Sequence, residues 1–142
     1  MTKVSSILAR KGSSAISVPP GTSVLDALKI MADKNIGSIV VVEQGKYLGI
    51  ITERDYSRKV ILKGKHSVDT TVSDIMSSDL PGVSPNDSIE TCMTLMSDNN
   101  IRYLPVFDNT ELAGIISMSD VVKETILQQK ETISHLENYI HG

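Results

Sequence analysis

Two periodicities alternate along the chain. Val24, Ala27, Leu28, Met31 and Ala32 recur at spacings of three and four, so they share one face of a helix that starts near Ser23. Ile36 to Val42 is a β-branched run bounded by turn residues, which predicts a buried strand. Leu48 to Thr52 predicts the next strand, joined to the first through a hairpin turn at Gln44-Gly45. Another helix is expected from about Glu53. Upstream, Ala15 to Val18 reads as a short strand stopped by Pro19-Pro20-Gly21. The order is β-α-β-β-α. The second half of the chain carries the same order, with a turn at Asn109-Thr110, a strand at Ala113 to Ser117 and a helix from about Met118. Asp87 and Glu90, three apart at the start of its first helix, predict a capping box.

The similarity extends to the residues themselves. Shifted by 65 positions, Val18 to Tyr56 lies over Val83 to Val121 without a gap, with 12 identities in 39 positions. Among them are Pro20/Pro85, Ser23/Ser88, Met31/Met96, Asn35/Asn100, Gly49-Ile50-Ile51/Gly114-Ile115-Ile116 and Asp55/Asp120. Val4-Ser5-Ser6-Ile7-Leu8 also echoes Val72-Ser73-Asp74-Ile75-Met76, now at a shift of 68, which places three extra residues in a loop from Arg10 to Ala15. A unit this small cannot bury its own sheet face, so the two copies are expected to pack against each other about a pseudo-twofold axis. The predicted fold is α+β: two β-α-β-β-α repeats plus a C-terminal helix. The expected domains are residues 1–66, 67–124 and a helical tail, 125–142.

Composition narrows the function. Apolar residues make up 40% of the 142 but aromatic ones only 4%, so the core must be aliphatic. A net charge of −3 argues against general nucleic-acid binding, which needs a basic surface. The single cysteine, Cys92, cannot form an internal disulfide, which fits a reducing cytoplasm. It falls opposite Ala27 on the helix's apolar face and reads as a small buried residue. The longest aliphatic run, Ile39 to Val42, is far short of the roughly 20 residues that span a bilayer. No signal-peptide core is seen, so a soluble cytoplasmic protein with no membrane partner is expected. His66, His135 and His141 are scattered without metal-ligand spacing, and no catalytic triad, acid pair or glycine-rich phosphate loop is present.

With the repeat in place, the chain resembles a tandem pair of cystathionine-β-synthase-type (CBS) domains, a Bateman module, of the small stand-alone bacterial type. The resemblance rests on the opening Val-x-Pro-x-x-Ser-Val/Ile, the helix end Met-x-Asp-x-Asn-Ile, the close Gly-Ile-Ile-Thr/Ser-x-x-Asp and the strand Ile101-Arg102-Tyr103-Leu104-Pro105-Val106. It covers roughly residues 1–124. It implies a regulatory, non-enzymatic module that binds adenosine-containing ligands such as AMP, ATP, NAD or S-adenosylmethionine in clefts between the copies. No cofactor is required; the nucleotide would be a regulatory ligand.

Thr52-Glu53-Arg54-Asp55 and Ser117-Met118-Ser119-Asp120 both stand where a strand enters a helix. An Asp there can accept hydrogen bonds from both ribose hydroxyls, while the hydroxyl and the free amides of the helix start can receive phosphate. The same spacing is also that of a plain N-terminal cap, and the two readings can coexist. Arg54 offers phosphate a charge where Ser119 does not, so the two sites are expected to differ. The family's adenine slot, carried over by resemblance, falls on Ile16, Ser17, Val18, Gly37, Ser38 and Ile39 in one copy. In the other it falls on Val83, Arg102, Tyr103, Leu104 and Pro105. Most of these are equally readable as core strand residues. Arg102 is a candidate phosphate ligand where Gly37 leaves room. Arg54, Arg58, Lys59, Lys63 and Lys65 form a basic stretch that either attracts phosphate or is a solvated helix face.

Val121 to Ile140 reads as one long helix, with Ile126, Ile133, Leu136 and Ile140 at near-heptad spacing and Gln129 interrupting them. Such a stripe suggests a homodimer. Since the chain carries no catalytic domain, its output is expected to pass in trans to a partner enzyme or transporter. The competing reading is a structural interaction or dimerisation module with no bound ligand.

Overall fold

The residues that recur between the copies fix the ends of their elements. In a computed structural model, which describes residues 2–12 and 15–141, Ser23 and Ser88 cap helices α2 (Val24–Lys34) and α5 (Ile89–Asn99). Each serine side chain accepts from the amide three residues on, that of Asp26 or Thr91. Asn35 and Asn100 end the two helices in the left-handed region, at φ 54° and 52°. The amides of Ile36 and Ile101 then close back on the carbonyls of Met31 and Met96, a Schellman-type stop. The predicted Asp87/Glu90 box is replaced by the Ser88 cap; Asp87 instead accepts from the Ser84 amide at 2.7 Å.

The first copy forms a three-stranded sheet. β1 (Ser17–Val18) runs parallel to β2 (Ser38–Glu43), which pairs antiparallel with β3 (Lys46–Thr52). Gln44 and Gly45, at φ 50° and 76°, make the two-residue turn that a right-twisted hairpin prefers. In the second copy β4 (Tyr103–Asp108) pairs with β5 (Glu111–Ser117), and the first strand is reduced to a single parallel bridge, Val83 to Val106. Both hairpins shift register at the same place, Val41/Val42 and Val106/Phe107.

The helices after the hairpins diverge. α3 (Glu53–Tyr56) gives way to a π-helical turn, Ser57–Ile61, whereas α6 (Met118–His141) continues for 24 residues. α1 (Val4–Lys11) reaches further than expected, so Arg10 and Lys11 are helical rather than part of a loop. Its counterpart α4 (Val72–Ile75) is a single turn.

The chain divides into two compact units, Ser14–Leu80 and Met1–Ser13 with Pro81–Gly142. These units are assembled differently from the linear repeats at 1–66 and 67–124. α1 packs Val4 and Ile7 into the core formed by Val83, Ile89, Cys92, Met96, Leu104, Val106, Ile116 and Val121. α4 packs Val72 and Ile75 among Val18, Val24, Ala27, Met31, Ile39, Val41, Ile51 and Val60. Each leading helix therefore completes the core of the copy that follows or precedes it, not its own. The docking is mirrored in the backbone: Val4 N donates to Asp87 O at 2.9 Å and Val72 N to Thr22 O at 2.8 Å. Each buried Val or Ile contributes roughly 1.5–3 kcal/mol, so neither helix is an accessory.

Candidate functional site

The two strand-to-helix junctions hold the same chemistry in different states. At the first, Thr52 caps α3 and forms a complete capping box: the Asp55 amide donates to Thr52 Oγ1 at 3.1 Å, and the Thr52 amide donates to Asp55 Oδ2 at 3.0 Å. Thr52 Oγ1 also donates to Oδ2 at 3.0 Å. The other oxygen, Oδ1, accepts from Ser77 Oγ at 2.9 Å and from Lys59 Nζ at 3.0 Å. Lys59 donates again to the Ile75 carbonyl at 2.9 Å. A carboxylate offers about four lone-pair sites, and Asp55, 7% exposed, has four donors around it.

At the second junction the Ser117 amide donates to Asp120 Oδ2 at 2.8 Å and the Asp120 amide to Ser117 Oγ at 3.1 Å. The cation here comes from α1: Lys11 Nζ reaches the same Oδ2 at 2.8 Å and the Ile115 carbonyl at 2.8 Å. Both of these bonds to the carboxylate end on Oδ2, and the Asp120 side chain is 18% exposed against 9% for Asp55. Burial pushes the Asp120 carboxyl upward, but the hydrogen bond from Lys11, the Ser117 amide, the Lys11 charge and the Ser117 hydroxyl outweigh it and hold the group below its usual range. Beside it, Arg10 Nε donates to buried Glu124 at 2.8 Å, so the basic last turn of α1 grips α6 at two points.

The sheets decide which other predicted residues join these junctions. Ser38 pairs with Thr52, the Gly37 carbonyl accepts from the Glu53 amide at 3.3 Å, and the Ile16 carbonyl accepts from the Val40 amide at 3.0 Å. Ile16 and Ser17 are exposed, and Gly37 and Ser38 are half-buried. In the other unit Tyr103 pairs with Ser117 and the Arg102 carbonyl accepts from the Met118 amide at 2.8 Å. Arg102, Met118 and Ser119 are exposed there, as Arg54 is at the first junction. By contrast Val18, Ile39, Val83 and Leu104 lie in the two hydrophobic cores, and Pro105 is buried too.

Sequence reasoning missed Lys11 and Ser77, and took Lys59 only as part of a basic stretch. Lys11 lies 109 residues from its carboxylate partner, and nothing local in the sequence announces that pairing. Cys92 is fully buried, and burial together with the nearby Asp87 and Glu90 charges pushes its thiol up to about 11, so it does not ionise near neutrality. Among the described residues, no group of three or more His, Cys, Asp or Glu could hold a metal ion, and no helix is long and apolar enough to cross a membrane.

Comparison with known proteins agrees with this architecture. The CBS domain model matches residues 4–61 and 72–126. The mitochondrial CBS domain-containing protein CBSX3 of Arabidopsis thaliana is 38% identical, across 99% of this chain and 73% of that protein. A protein with CBS domains from Burkholderia ambifaria MC40-6 is 42% identical with a TM-score of 0.86, over 90% of this chain and 96% of that one. The CBS domain pair of protein MJ0100, solved in complex with 5′-methylthioadenosine and S-adenosyl-L-methionine, is 26% identical with a TM-score of 0.79, over 90% and 98%. Two cores built from equivalent residues and a family match to each half lead to one conclusion: the chain belongs to the CBS-domain family, as a tandem CBS pair.

Proposed function

We propose that this regulatory module binds an adenine-containing ligand, of the AMP, ATP, NAD or S-adenosylmethionine kind, with the Ser117–Asp120 junction as its principal anchor. The observation that carries the reading is the contrast between the two carboxylates. Asp55 is ringed by four internal donors and its side chain is 9% exposed, whereas the bonds from Ser117 N and Lys11 Nζ to Asp120 both end on Oδ2 and its side chain is 18% exposed, which makes this carboxylate the more open of the two to a ribose hydroxyl. Ser119, the residue before Asp120, and Arg102, whose carbonyl accepts from the Met118 amide, are exposed and offer phosphate a hydroxyl and a charge. The complex of MJ0100 with two adenosine derivatives supports this ligand class. The ligand is regulatory and no cofactor is needed. The module acts by binding rather than turnover, works in the cytoplasm as a homodimer, and signals to a partner enzyme or transporter in trans. The closed network around Asp55 favours a structural role for the first junction.

Thermal melting with AMP, ADP, ATP, NAD, NADH and S-adenosylmethionine tests this on the native chain, Asp55→Ala and Asp120→Ala. A specific ligand at about 100 times its Kd adds roughly 2.7 kcal/mol. The native chain and Asp55→Ala are expected to show that shift, and Asp120→Ala to lose it. If no ligand moves the native melting curve, nucleotide sensing fails. If Asp120→Ala keeps the full shift, the anchor is misplaced.

A further inference from the structure

The end of α6 carries an apolar stripe that its own unit leaves uncovered. Val121 and Glu124 face inward, 1% and 3% exposed, but from Gln129 to Ile140 every residue is exposed. Along this stretch Val122, Ile126, Gln129, Ile133, Leu136 and Ile140 follow one another at alternating steps of four and three. At about 100° per residue they fall within an arc of roughly 80°, well away from the inward face of Val121 and Glu124. The five apolar members are 45–73% exposed. A free helical extension of this length is marginal in water, and a heptad seam on it is the pattern by which one helix takes another.

We infer that this seam pairs with the same seam of a second copy, antiparallel, about a twofold axis level with Glu131. The inference rests on the homodimer proposed above and supplies its geometry. In this register Val122 faces Ile140 of the second copy, Ile126 faces Leu136, and Gln129 faces Ile133, so every position of the stripe is matched. The flanking residues settle the direction. Antiparallel pairing sets Lys123 against Glu137, twice by symmetry, with Lys130 opposite its own mate beside the axis. A parallel pair would instead set Thr125 against Lys130 and Thr132 against Glu137, with no opposite charges apposed, and would stack Gln129 on Gln129. Reversal thus apposes two opposite-charge pairs against one like pair at Lys130 and keeps Gln129 off its own mate, whereas the parallel arrangement offers no opposite-charge pair.

The test has two arms. Sedimentation of the full chain at micromolar concentration is expected to give twice the monomer mass, and Ile133→Glu/Leu136→Glu, at exposed positions, to give the monomer with an unchanged circular dichroism spectrum. Lys123→Glu is expected to weaken the dimer, and Lys123→Glu/Glu137→Lys to restore it. For direction, Ile126→Cys/Leu136→Cys is expected to form a covalent dimer on mild oxidation while each single cysteine variant does not; the native Cys92 is buried and does not compete. A monomeric native chain overturns the homodimer itself. A native dimer that survives Ile133→Glu/Leu136→Glu overturns the seam alone, and single cysteines that cross-link as readily as the pair overturn the antiparallel register.

Discussion

At the scale of single residues, identical motifs differ because of what reaches them. Thr52-x-x-Asp55 and Ser117-x-x-Asp120 are both caps, and the local sequence shows as much. It does not show that Ser77 and Lys59 reach the first carboxylate while Lys11, from α1, reaches the second. The difference has a consequence in acid. The folded state holds the Asp120 carboxyl below its ordinary value, so Asp120 binds fewer protons folded than unfolded. Its contribution is present above the unfolded pKa, about 3.9, and is lost as pH falls through the lower folded value. Lys11 is 39% exposed, so solvent screens the pair and the contribution is about 0.5–1 kcal/mol. Urea midpoints measured from about pH 6 down to about pH 3 should fall less steeply for Asp120→Asn than for the native chain. Parallel curves would show that Lys11 and Ser117 do not perturb this carboxyl.

At the scale of elements, most of the pattern was legible. The hairpins, α2, α5 and the long last helix follow from periodicity, and Asn35 and Asn100 mark their helix ends because only a few residue types accept a left-handed stop. What stayed hidden depends on contacts distant in sequence. Gly49 recurs as Gly114 and reads as part of a strand motif, yet its reason is steric. The segment after α4 runs alongside β3, with Ser77 and Ile50 exchanging backbone hydrogen bonds at 2.8 and 2.9 Å. A Cβ on residue 49 would lie 2.8 Å from the Ser77 carbonyl oxygen and 3.0 Å from Met76 Sδ. Gly49→Ala is therefore expected to lower stability by about 1–3 kcal/mol through overpacking. Gly21→Ala, where a Cβ would meet nothing within 4 Å, should stay within about 0.5 kcal/mol. Chemical denaturation of the two variants decides it: equal effects would mean that the segment 76–77 gives way easily. The π-helical turn at Ser57–Ile61 is equally unreadable from sequence, since its residues would suit an ordinary helix.

At the scale of the whole molecule, the repeat conceals how the units are built. Val4-x-x-Ile7 and Val72-x-x-Ile75 present the same two apolar residues at the same spacing, and the cores that receive them are lined by equivalent residues, Val24 with Ile89, Ala27 with Cys92, Met31 with Met96. Either leading helix fits either core by pattern, so a linear reading assigns each to its neighbour in sequence, and the chain does the opposite. The two descriptions make different demands on fragments. A fragment of residues 1–66 contains a whole linear repeat but lacks Val72 and Ile75, each at most 1% exposed in the core it would need to form. A fragment of residues 14–80 contains that core entire. Losing two buried aliphatic side chains costs several kcal/mol, about 2–5 for each, which consumes most of the stability that a domain this small can have. Urea unfolding followed by circular dichroism should thus give a cooperative transition for 14–80 and none for 1–66, and adding a peptide of residues 67–80 should restore the transition to 1–66. A cooperative transition in 1–66 alone would mean that α1 can substitute for α4 in its own repeat, and that the exchange of leading helices is a preference of the intact chain rather than a requirement of each core.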